Sequence, residues 1–444
     1  MRLLSRYVGL LLAVTLARAG QPLRAQVTPA VRPIADHHVH LQSRADWELF
    51  NAQLPFVTLP NDLDRVLREF ERGWQAADNK IALSEVFAED GILQWGDDWI
   101  QGRPAIRMML VGRAGGLRMR PQAFETDERL GYIAGAYGFY RDTTWVDQGR
   151  YVLTVRRAKD APWQITVARL GNTTPPRPPD RDPFSAGDLI AQLDSAGMRR
   201  GVALSNAYMY GAAYRRIENE VARVRAENDW VAEQVARYPS RLVGFCSFNP
   251  LKEYALEELD RCMRDPRMTG VKMHFTTSFV DLRNRAHVDR LRAIFRSANA
   301  RRYPIIVHMR TMNPAYGRAD AEIFLRDVLA EAPDVPVQIA HLAGWGGYDD
   351  ATDQALSVFA EAIASGDRRT ANLYFDLAAI ASPGLPAATT QLIVRRIRQI
   401  GIGRMLFAVD GVESPGKAWE TFHLLPLDSA EFRAIAGNLA PYLR

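Results

Sequence analysis

A regular alternation of short apolar runs and helical patterns, beginning near residue 185, constrains the fold of this chain more than any other feature. Eight runs are predicted as strands, over residues 34–41, 201–204, 242–246, 270–274, 304–308, 335–341, 373–376 and 405–410. The helices are predicted over residues 186–197, 214–238, 255–264, 286–301, 318–331, 351–364, 388–399 and 428–443. Short, fully apolar strands are typical of parallel sheets covered on both faces. Eight strand-helix units favour an α/β fold of the (β/α)8 barrel type over an open doubly wound sheet, whose glycine-rich first turn is not present.

The pattern is interrupted after the first strand. Leu63, Val66, Leu67 and Phe70 recur at helical spacing, and strand-like runs follow at residues 92–95, 132–140, 150–156 and 163–169. Helices followed by a meander of strands are typical of α+β domains. A connection this long needs a fold of its own. We therefore predict barrel strand 1 in residues 31–60, an inserted α+β domain at 61–172, a proline-rich linker at 173–183 and the rest of the barrel at 184–444.

The N-terminus has the layout of a cleavable signal peptide over residues 1–25. Arg2 and Arg6 precede an apolar run at residues 8–17, and Ala17-Arg18-Ala19 offers a small-x-small cleavage pattern. A membrane anchor is the alternative, but the run is shorter than the ~20 residues that span a bilayer. The sequence predicts an exported protein, periplasmic or secreted, with no membrane association after cleavage.

Charge and cysteine content exclude several classes of function. The formal net charge of +5 includes Arg2, Arg6 and Arg18 of the predicted signal peptide, and the +2 that remains without them is too small to indicate binding to nucleic acid. We expect a small-molecule substrate as the partner, and a homodimer stays open. The two cysteines, Cys246 and Cys262, form no disulfide framework. Cys246 is interpreted as a small buried apolar residue, and a single bridge between the two stays open.

Histidines collect at the predicted strand ends. Asp36, His38 and His40 share one face of the first strand, where two neutral imidazoles one pleat apart can bind a single divalent metal. Five of the eight histidines lie at or near strand ends, namely His38, His40, His274, His308 and His341, and Asp410 ends the last strand. The carboxyl ends of barrel strands form one rim, so this placement predicts a site there. Hydrogen-bonded structural histidines are the alternative for each position.

The ordered motifs resemble the amidohydrolase superfamily. The resemblance rests on Asp36-x-His38-x-His40, Ile305-Ile306-Val307-His308, Gln338-Ile339-Ala340-His341, Leu406-Phe407-Ala408-Val409-Asp410 and Gly437-Asn438-Leu439-Ala440. It covers residues 31–60 and 184–444, and the most similar subgroup is the amidohydrolase-2 family, which includes aminocarboxymuconate-semialdehyde decarboxylase. The insert resembles SnoaL-like members of the NTF2-like superfamily through Phe70-x-x-x-Trp74-x-x-x-Asp78, Val86-Phe87-Ala88-Glu89-Asp90-Gly91 and Gly102-Arg103-Pro104-Ala105-Ile106.

The resemblance implies a role for each rim residue. His38, His40, His308 and Asp410 would hold one divalent metal, expected to be Zn²⁺, with an open position for water. His341 would act as general base or acid, and Asp410 could also accept a proton. Lys272, His274 and Arg310 are expected to face the pocket and bind substrate. Some superfamily members instead carboxylate a strand-4 lysine to bridge two metals, and Lys272 would allow a second ion in that way.

These expectations lead to a metal-dependent hydrolase that attacks an amide, ester or lactone carbonyl of a small organic substrate. The alternative is a non-oxidative decarboxylase of a carboxylated aromatic or muconate-like acid, and Asp36 at the start of the motif leans mildly towards hydrolysis. From another class, the chain could be a ligand-binding protein whose barrel has lost activity. Because the insert follows strand 1, we expect it to act as a lid, with a dimerisation module as the alternative.

Overall fold

The computed structural model describes residues 31–51, 56–75, 86–95, 98–109, 116–141, 144–172, 183–215, 217–411 and 413–444. The predicted signal peptide at residues 1–25 and residues 173–182 of the predicted linker lie outside this range. Within it, no helix has the length and apolar character needed to cross a membrane. The chain divides into two compact units, one formed by residues up to Asp46 together with Pro183–Arg444 and the other by Trp47–Asp182.

The strands and helices are numbered here in chain order. The strands are β1 (Ala35–His40), β2 (Phe87–Trp95), β3 (Asp98–Gln101), β4 (Leu117–Thr126), β5 (Leu130–Arg141), β6 (Thr144–Arg156), β7 (Gln164–Asn172), β8 (Arg200–Leu204), β9 (Leu242–Ser247), β10 (Met268–His274), β11 (Ile305–His308), β12 (Val337–Ile339), β13 (Leu373–Asp376) and β14 (Met405–Leu406). The helices are α1 (Arg44–Asn51), α2 (Asn61–Gln75), α3 (Arg103–Met109), α4 (Ala186–Ala196), α5 (Glu220–Ala236), α6 (Ala255–Arg264), α7 (Arg285–Ala300), α8 (Arg318–Ile323), α9 (Asp350–Ala364), α10 (Ala387–Ile400), α11 (Pro415–Phe422) and α12 (Ser429–Gly437).

The first unit is a parallel eight-stranded barrel. Its strand order is β1-β8-β9-β10-β11-β12-β13-β14, and each neighbouring pair is parallel. Backbone hydrogen bonds close the sheet on itself, because His37 N donates to Phe407 O at 3.0 Å and Asp410 N donates to His38 O at 2.7 Å. The predicted (β/α)8 barrel is confirmed, and its first strand is contributed from before the second unit.

Several element boundaries differ from the sequence prediction. The last strand was expected over residues 405–410, but the regular strand ends at Leu406, and the backbone is left-handed at Asp410, where φ is 61°. The helix expected over 318–331 is regular only to Ile323 and continues as a π-helical turn and a 3₁₀ turn to Glu331. The helix expected over 214–238 begins only at Glu220.

The C-terminal segment closes the N-terminal end of the barrel. Ile34 N, just before β1, donates to Ala436 O at 2.8 Å, and a turn at Pro441–Leu443 ends the chain. Leu443 is fully buried and packs in a cluster with Ala35 and Phe245, among other residues of β1, β8, β9 and β11. Burial of this apolar area, which stabilises a fold by about 25 cal/mol per Å², fixes the tail against the ends of the strands.

The second unit has its own hydrophobic core and an α+β fold. Its six strands run in the order β3-β2-β7-β6-β5-β4, and only the β2–β7 pair is parallel within this sheet. Leu63, Val66, Leu67 and Phe70 of α2 are all buried against the sheet, as their helical spacing predicted. The α+β fold expected for this segment is confirmed, and its NTF2-like character stays a prediction. Its predicted role, as a lid or as a dimerisation module, stays a prediction.

Candidate metal centre

The carboxyl ends of the barrel strands carry the polar residues that the sequence singled out. His40, His274 and His308 are the last residues of β1, β10 and β11. His341 follows β12 and Asp410 follows β14 by a few residues. Because all eight strands are parallel, these side chains share one end of the barrel.

Four polar side chains converge on one point, namely His38, His40, His341 and Asp410. His38 Nε2 lies 3.2 Å from Asp410 Oδ1 and 3.4 Å from His40 Nε2. His40 Nε2 is 3.8 Å from the same Asp410 oxygen, and His341 Nε2 is 3.5 Å from Asp410 Oδ2. The ligand atoms of His38, His341 and Asp410 all lie within 4.8 Å of one another. Atoms at this spacing can surround one divalent ion, whose bonds to nitrogen and oxygen are about 2 Å long.

The ring orientations suit a metal ion. His38 Nδ1–H donates to Asp376 Oδ2 at 3.0 Å, and His341 Nδ1–H donates to Ala378 O at 2.9 Å. Each of these hydrogen bonds leaves the Nε2 lone pair directed at Asp410. A histidine that donates its second ring nitrogen to a carboxylate or a carbonyl is the arrangement that metal sites use to fix the ligand. The residues present therefore fit a divalent cation.

Burial favours the neutral form of His38, His40 and His308, which is the form that binds metals. Burial, followed by the nearby charge of Lys272, lowers the pKa of His38 and of His40. Burial, followed by the charges of His274 and other histidines, lowers the pKa of His308. Nδ1 of His40 and Nδ1 of His308 are buried atoms without a hydrogen-bond partner among the described residues. A buried nitrogen without a partner is uncommon in a folded protein, and a bound water or ion would satisfy it.

Two of the central residues have strained backbones. His341 has φ of 52° and Asp410 has φ of 61°, in the left-handed region that costs non-glycine residues about 1–3 kcal/mol. Hydrogen bonds hold both in place, because His341 N donates to Asp376 Oδ1 at 2.9 Å and Asp410 N donates to His38 O. Strain maintained in this way is typical of functional positions.

Lys272 lies within the cluster. Its side chain is fully buried, and its Nζ is 2.9 Å from His38 Nε2. Burial lowers the pKa of Lys272 to about 8, against the opposing effect of the Asp410 and Asp376 carboxylates. The Lys272 amine thus lies at the Nε2 lone pair of His38, which a metal ion would use. The sequence expected Lys272 at the substrate pocket, and the structure places it at the centre.

Two of the remaining predicted residues, His274 and His308, form a stacked wall of rings with Tyr208, and Arg310 lies on the rim. The His274 ring stacks on His308, with centroids 4.1 Å apart, and on Tyr208 at 4.9 Å. The His308 ring is also 5.4 Å from the His341 ring. Arg310 is paired with Asp349 through two hydrogen bonds of 3.0 Å, so its charge is already matched. The assignment of metal-ligand, acid-base and substrate-binding roles to these residues stays a prediction.

Asp376 contacts two residues of the candidate site, and sequence reasoning missed it. Its two oxygens accept from His38 Nδ1, from His341 N and from Gln338 Nε2, the last at 2.8 Å. Burial acts to raise the pKa of Asp376, but its interactions with His38 and His341, including the hydrogen bonds from both, outweigh burial and hold the pKa well below its usual range. Asp376 ends its strand as Asp410 does, and that position was the signal that could have found it.

The barrel region matches the family model described as Amidohydrolase over residues 162–438. The chain belongs to the amidohydrolase family. The match covers more than half of the chain, and it confirms the family that the strand-end motifs predicted. The matched region begins after β1 and does not include His38 and His40, so these two residues are placed at the candidate site by the geometry of the barrel alone. Among curated proteins, none matches this amidohydrolase in sequence.

Solved structures resemble the two parts of this amidohydrolase separately. 5-Carboxyvanillate decarboxylase LigW from Sphingomonas paucimobilis is 16% identical, with a TM-score of 0.44, over 60% of this chain and 84% of that one. 2,6-Dihydroxybenzoate decarboxylase from Rhizobium is 17% identical, with a TM-score of 0.38, over 56% and 84%. An NTF-2 like protein of unknown function from Shewanella oneidensis MR-1 is 16% identical, with a TM-score of 0.21, over 25% and 96%.

Proposed function

We propose that this amidohydrolase is a metal-dependent enzyme that decarboxylates a small, flat organic acid. The observation that carries the proposal is the buried amine of Lys272 beside the His38 and Asp410 cluster, next to a stacked wall of rings. A cation in a dry site attracts a carboxylate far more strongly than it would in water. The sequence alone ranked this reaction second, after hydrolysis.

The ring wall supports a planar substrate. Tyr208, His274 and His308 form a continuous stack, with interplanar angles of 15° and 10°. The indole of Trp345 lies 6.2 Å from His308 and is 45% exposed, so it marks the open side of the wall. Aromatic faces of this kind favour offset stacking with another conjugated ring. A carboxylated aromatic acid presents both the ring and the charge.

In the proposed reaction, each residue of the site has its own role. His38, His40 and Asp410 would hold the ion, which supplies Lewis acidity to an oxygen of the substrate when bound. Lys272 donates a hydrogen bond to the substrate carboxylate and holds it near the centre. The carbon–carbon bond to that carboxylate breaks, carbon dioxide leaves, and the electron pair stays on the ring carbon. His341, protonated at Nε2, gives that carbon its proton and is reprotonated from solvent.

An assay with paired substrates tests the proposal. Protein loaded with Zn²⁺ or Mn²⁺ is incubated with aromatic acids that carry ¹³C in the carboxyl group, and released ¹³CO₂ is measured by mass spectrometry. We expect release by the wild type and a loss of about 10²-fold or more in His341→Gln, since general acid–base catalysis contributes 10²–10⁴-fold. No release from any acid, beside hydrolysis of an amide, ester or lactone, would overturn the proposal.

Hydrolysis is the second candidate, and one contact favours it. His341 Nε2 and Asp410 Oδ2 are 3.5 Å apart, so the pair could take a proton from a water molecule that attacks a carbonyl. The same protein samples are therefore assayed in parallel on a panel of amides, esters and lactones.

We also infer that the protein is exported. Cys246 of β9 and Cys262 of α6 are joined by a disulfide bond. Disulfides persist in oxidising compartments and are rare in the cytosol. The bridge adds to the signal-peptide pattern of the N-terminus. Fractionation of expressing cells, with detection of the mature protein outside the cytoplasm, tests this inference, and retention of the full-length chain in the cytoplasm would contradict it.

A further inference from the structure

The C-terminal tail is connected to the candidate metal centre by a chain of hydrogen bonds along the barrel interior. The Tyr442 hydroxyl donates to Gln338 Oε1, and Gln338 Nε2 donates to Asp376 Oδ2 at 2.8 Å. The same Asp376 oxygen accepts from His38 Nδ1 at 3.0 Å, and the other accepts from His341 N. This chain of hydrogen bonds, called the relay here, begins with Tyr442 at the closed end of the barrel and passes through Gln338 and Asp376. It ends on His38 and His341 of the candidate metal centre.

We propose that Tyr442 and Gln338 are positioning residues for the metal centre, acting through Asp376. This inference rests on the proposed function, because it assumes that His38 binds an ion. It assigns a role at the site to the last residues of the chain, which lie at the opposite end of the barrel from the strand ends that carry the histidines.

The direction of each bond gives Tyr442 its effect. A glutamine side chain can rotate by 180° and exchange its oxygen and nitrogen. Gln338 is fully buried, and its Oε1 accepts from Tyr442 while its Nε2 donates to Asp376 and to His37 O at 3.2 Å. The rotated amide would place its oxygen against the Asp376 carboxylate. Asp376 and His37 O, which can only accept, select this orientation of the amide, and the Tyr442 hydroxyl holds the side chain in place by donating to its Oε1.

Burial makes the relay sensitive to the loss of one member. Asp376 and Gln338 are both fully buried, so water cannot readily replace a missing partner. A buried polar group left without its hydrogen bond costs about 1–3 kcal/mol. When Oε1 of Gln338 loses its donor, the amide can shift away from Asp376, which weakens one of the hydrogen bonds that fix the carboxylate and, through it, the His38 ring.

The tail is held firmly enough to act in this way. Asn438 Nδ2 donates to Ile402 O and to Met405 O, both at 2.7 Å. Ala440 N donates to Nε2 of His37 at 3.3 Å, and the Tyr442 ring lies 5.1 Å from Phe245, edge to face. These contacts fix the position of the Tyr442 hydroxyl inside the barrel, beside Gln338.

Metal titration tests the inference without relying on turnover. Apoprotein is titrated with Co²⁺, and both the Kd and the visible spectrum of the bound ion are recorded for wild type, Tyr442→Phe, Gln338→Met and Asp376→Asn. Partners of metal-binding histidines typically contribute 10–100-fold to affinity. We expect a Kd about 10–100-fold higher in Asp376→Asn and a smaller rise, of about three- to tenfold, in Tyr442→Phe and Gln338→Met, each with an altered cobalt spectrum.

Tyr303→Phe is the matched control. Tyr303 is a buried tyrosine of the same unit, whose hydroxyl donates to Cys262 O at 3.4 Å, outside the relay. It should keep the wild-type Kd and spectrum even if its Tm falls as far as that of Tyr442→Phe. A wild-type Kd in both Tyr442→Phe and Gln338→Met, with wild-type metal binding intact, overturns the inference alone. A wild-type protein that binds no metal overturns the proposed function and this inference with it.

Discussion

The amine of Lys272 lies 2.9 Å from Nε2 of His38, and both side chains are buried. The lysine therefore meets the lone pair that an ion would use, and the two positive groups compete for one acceptor. Under the proposed function, Lys272 would turn away from His38 when His38 binds a metal and would donate to the substrate carboxylate. The contact makes the lysine the residue whose removal best separates the candidate mechanisms.

Replacing Lys272 by methionine should leave one metal ion per chain but reduce decarboxylation by about 10²-fold, because a buried donor to the substrate is lost. Metal content by inductively coupled plasma mass spectrometry and ¹³CO₂ release measure the two effects. Lys252→Met, which removes a lysine paired with Glu220, is the control. Two ions in the wild type and one in Lys272→Met would instead indicate a carboxylated lysine that bridges two metals.

Removal of a central ligand should abolish metal binding. We expect His38→Ala and Asp410→Asn to be purified without stoichiometric metal and to bind added Zn²⁺ much more weakly, since each removes an atom from the shared cluster. Equilibrium dialysis measures the bound ion. The control is His287→Gln, which changes a histidine of α7 that accepts from Asp281 N. Wild-type metal content in both ligand variants would contradict the site.

The contribution of Asp46 and Glu227 to the free energy of unfolding should fall as pH rises from about 4 to 8. Burial, aided by the charge of Glu227, raises the pKa of Asp46 to about 8, and burial raises the pKa of Glu227 to about 7. Unfolded carboxyls have pKa values of about 4, so these two carboxyls bind more protons in the folded chain across this window, and their stabilising contribution is lost as the protons leave.

Asp46→Asn should therefore raise the Tm at pH 8 more than at pH 5. The asparagine stays uncharged where the aspartate would ionise beside Glu227. Thermal melts in a pH series measure the difference, and Asp194→Asn, at an exposed aspartate bound to Arg241, should show the wild-type pH dependence. An equal change in Tm at both pH values would show that ionisation of Asp46 does not contribute.

Loss of the Cys246–Cys262 disulfide should lower stability. The bridge joins residues 16 apart in sequence, and closing a loop of that length is worth about 3 kcal/mol in the chain-entropy model. The double variant Cys246→Ala, Cys262→Ala should unfold at lower urea concentration than the wild type and be insensitive to dithiothreitol. A wild type whose unfolding is unchanged by dithiothreitol would contradict the prediction.

The barrel and most of the site could be predicted because each strand carries two readable signals. A short apolar run fixes its type, and a lone histidine or aspartate at its end fixes its direction relative to the site, as for His308 and Asp410. Helix α11 was missed although Ser414 caps it and Pro415 occupies its first turn, a recognisable start signal. The single bridge between the cysteines was left open because spacing alone does not give the distance between a strand and a helix.

Other features depend on three-dimensional contacts that no local pattern encodes. The support of His38 by Asp376 joins residues 338 apart in sequence, and that of Gln338 by Tyr442 joins residues 104 apart. The left-handed backbone at His341 and Asp410 is imposed by hydrogen bonds from other strands and not by glycine. Propensity would have extended the last strand through Asp410, and tertiary structure overrides it.

The hydrogen bond from the His37 ring to Phe407 O spans 370 residues of chain and helps to join the first strand to the segment after the last. The first strand therefore cannot form its second set of hydrogen bonds until almost the whole polypeptide has been synthesised. Pairing of such remote segments is slow and exposes strand edges meanwhile. A premature stop codon shortly before residue 407 would leave the cylinder open, and we expect proteases to degrade such products although nearly all of the sequence is present.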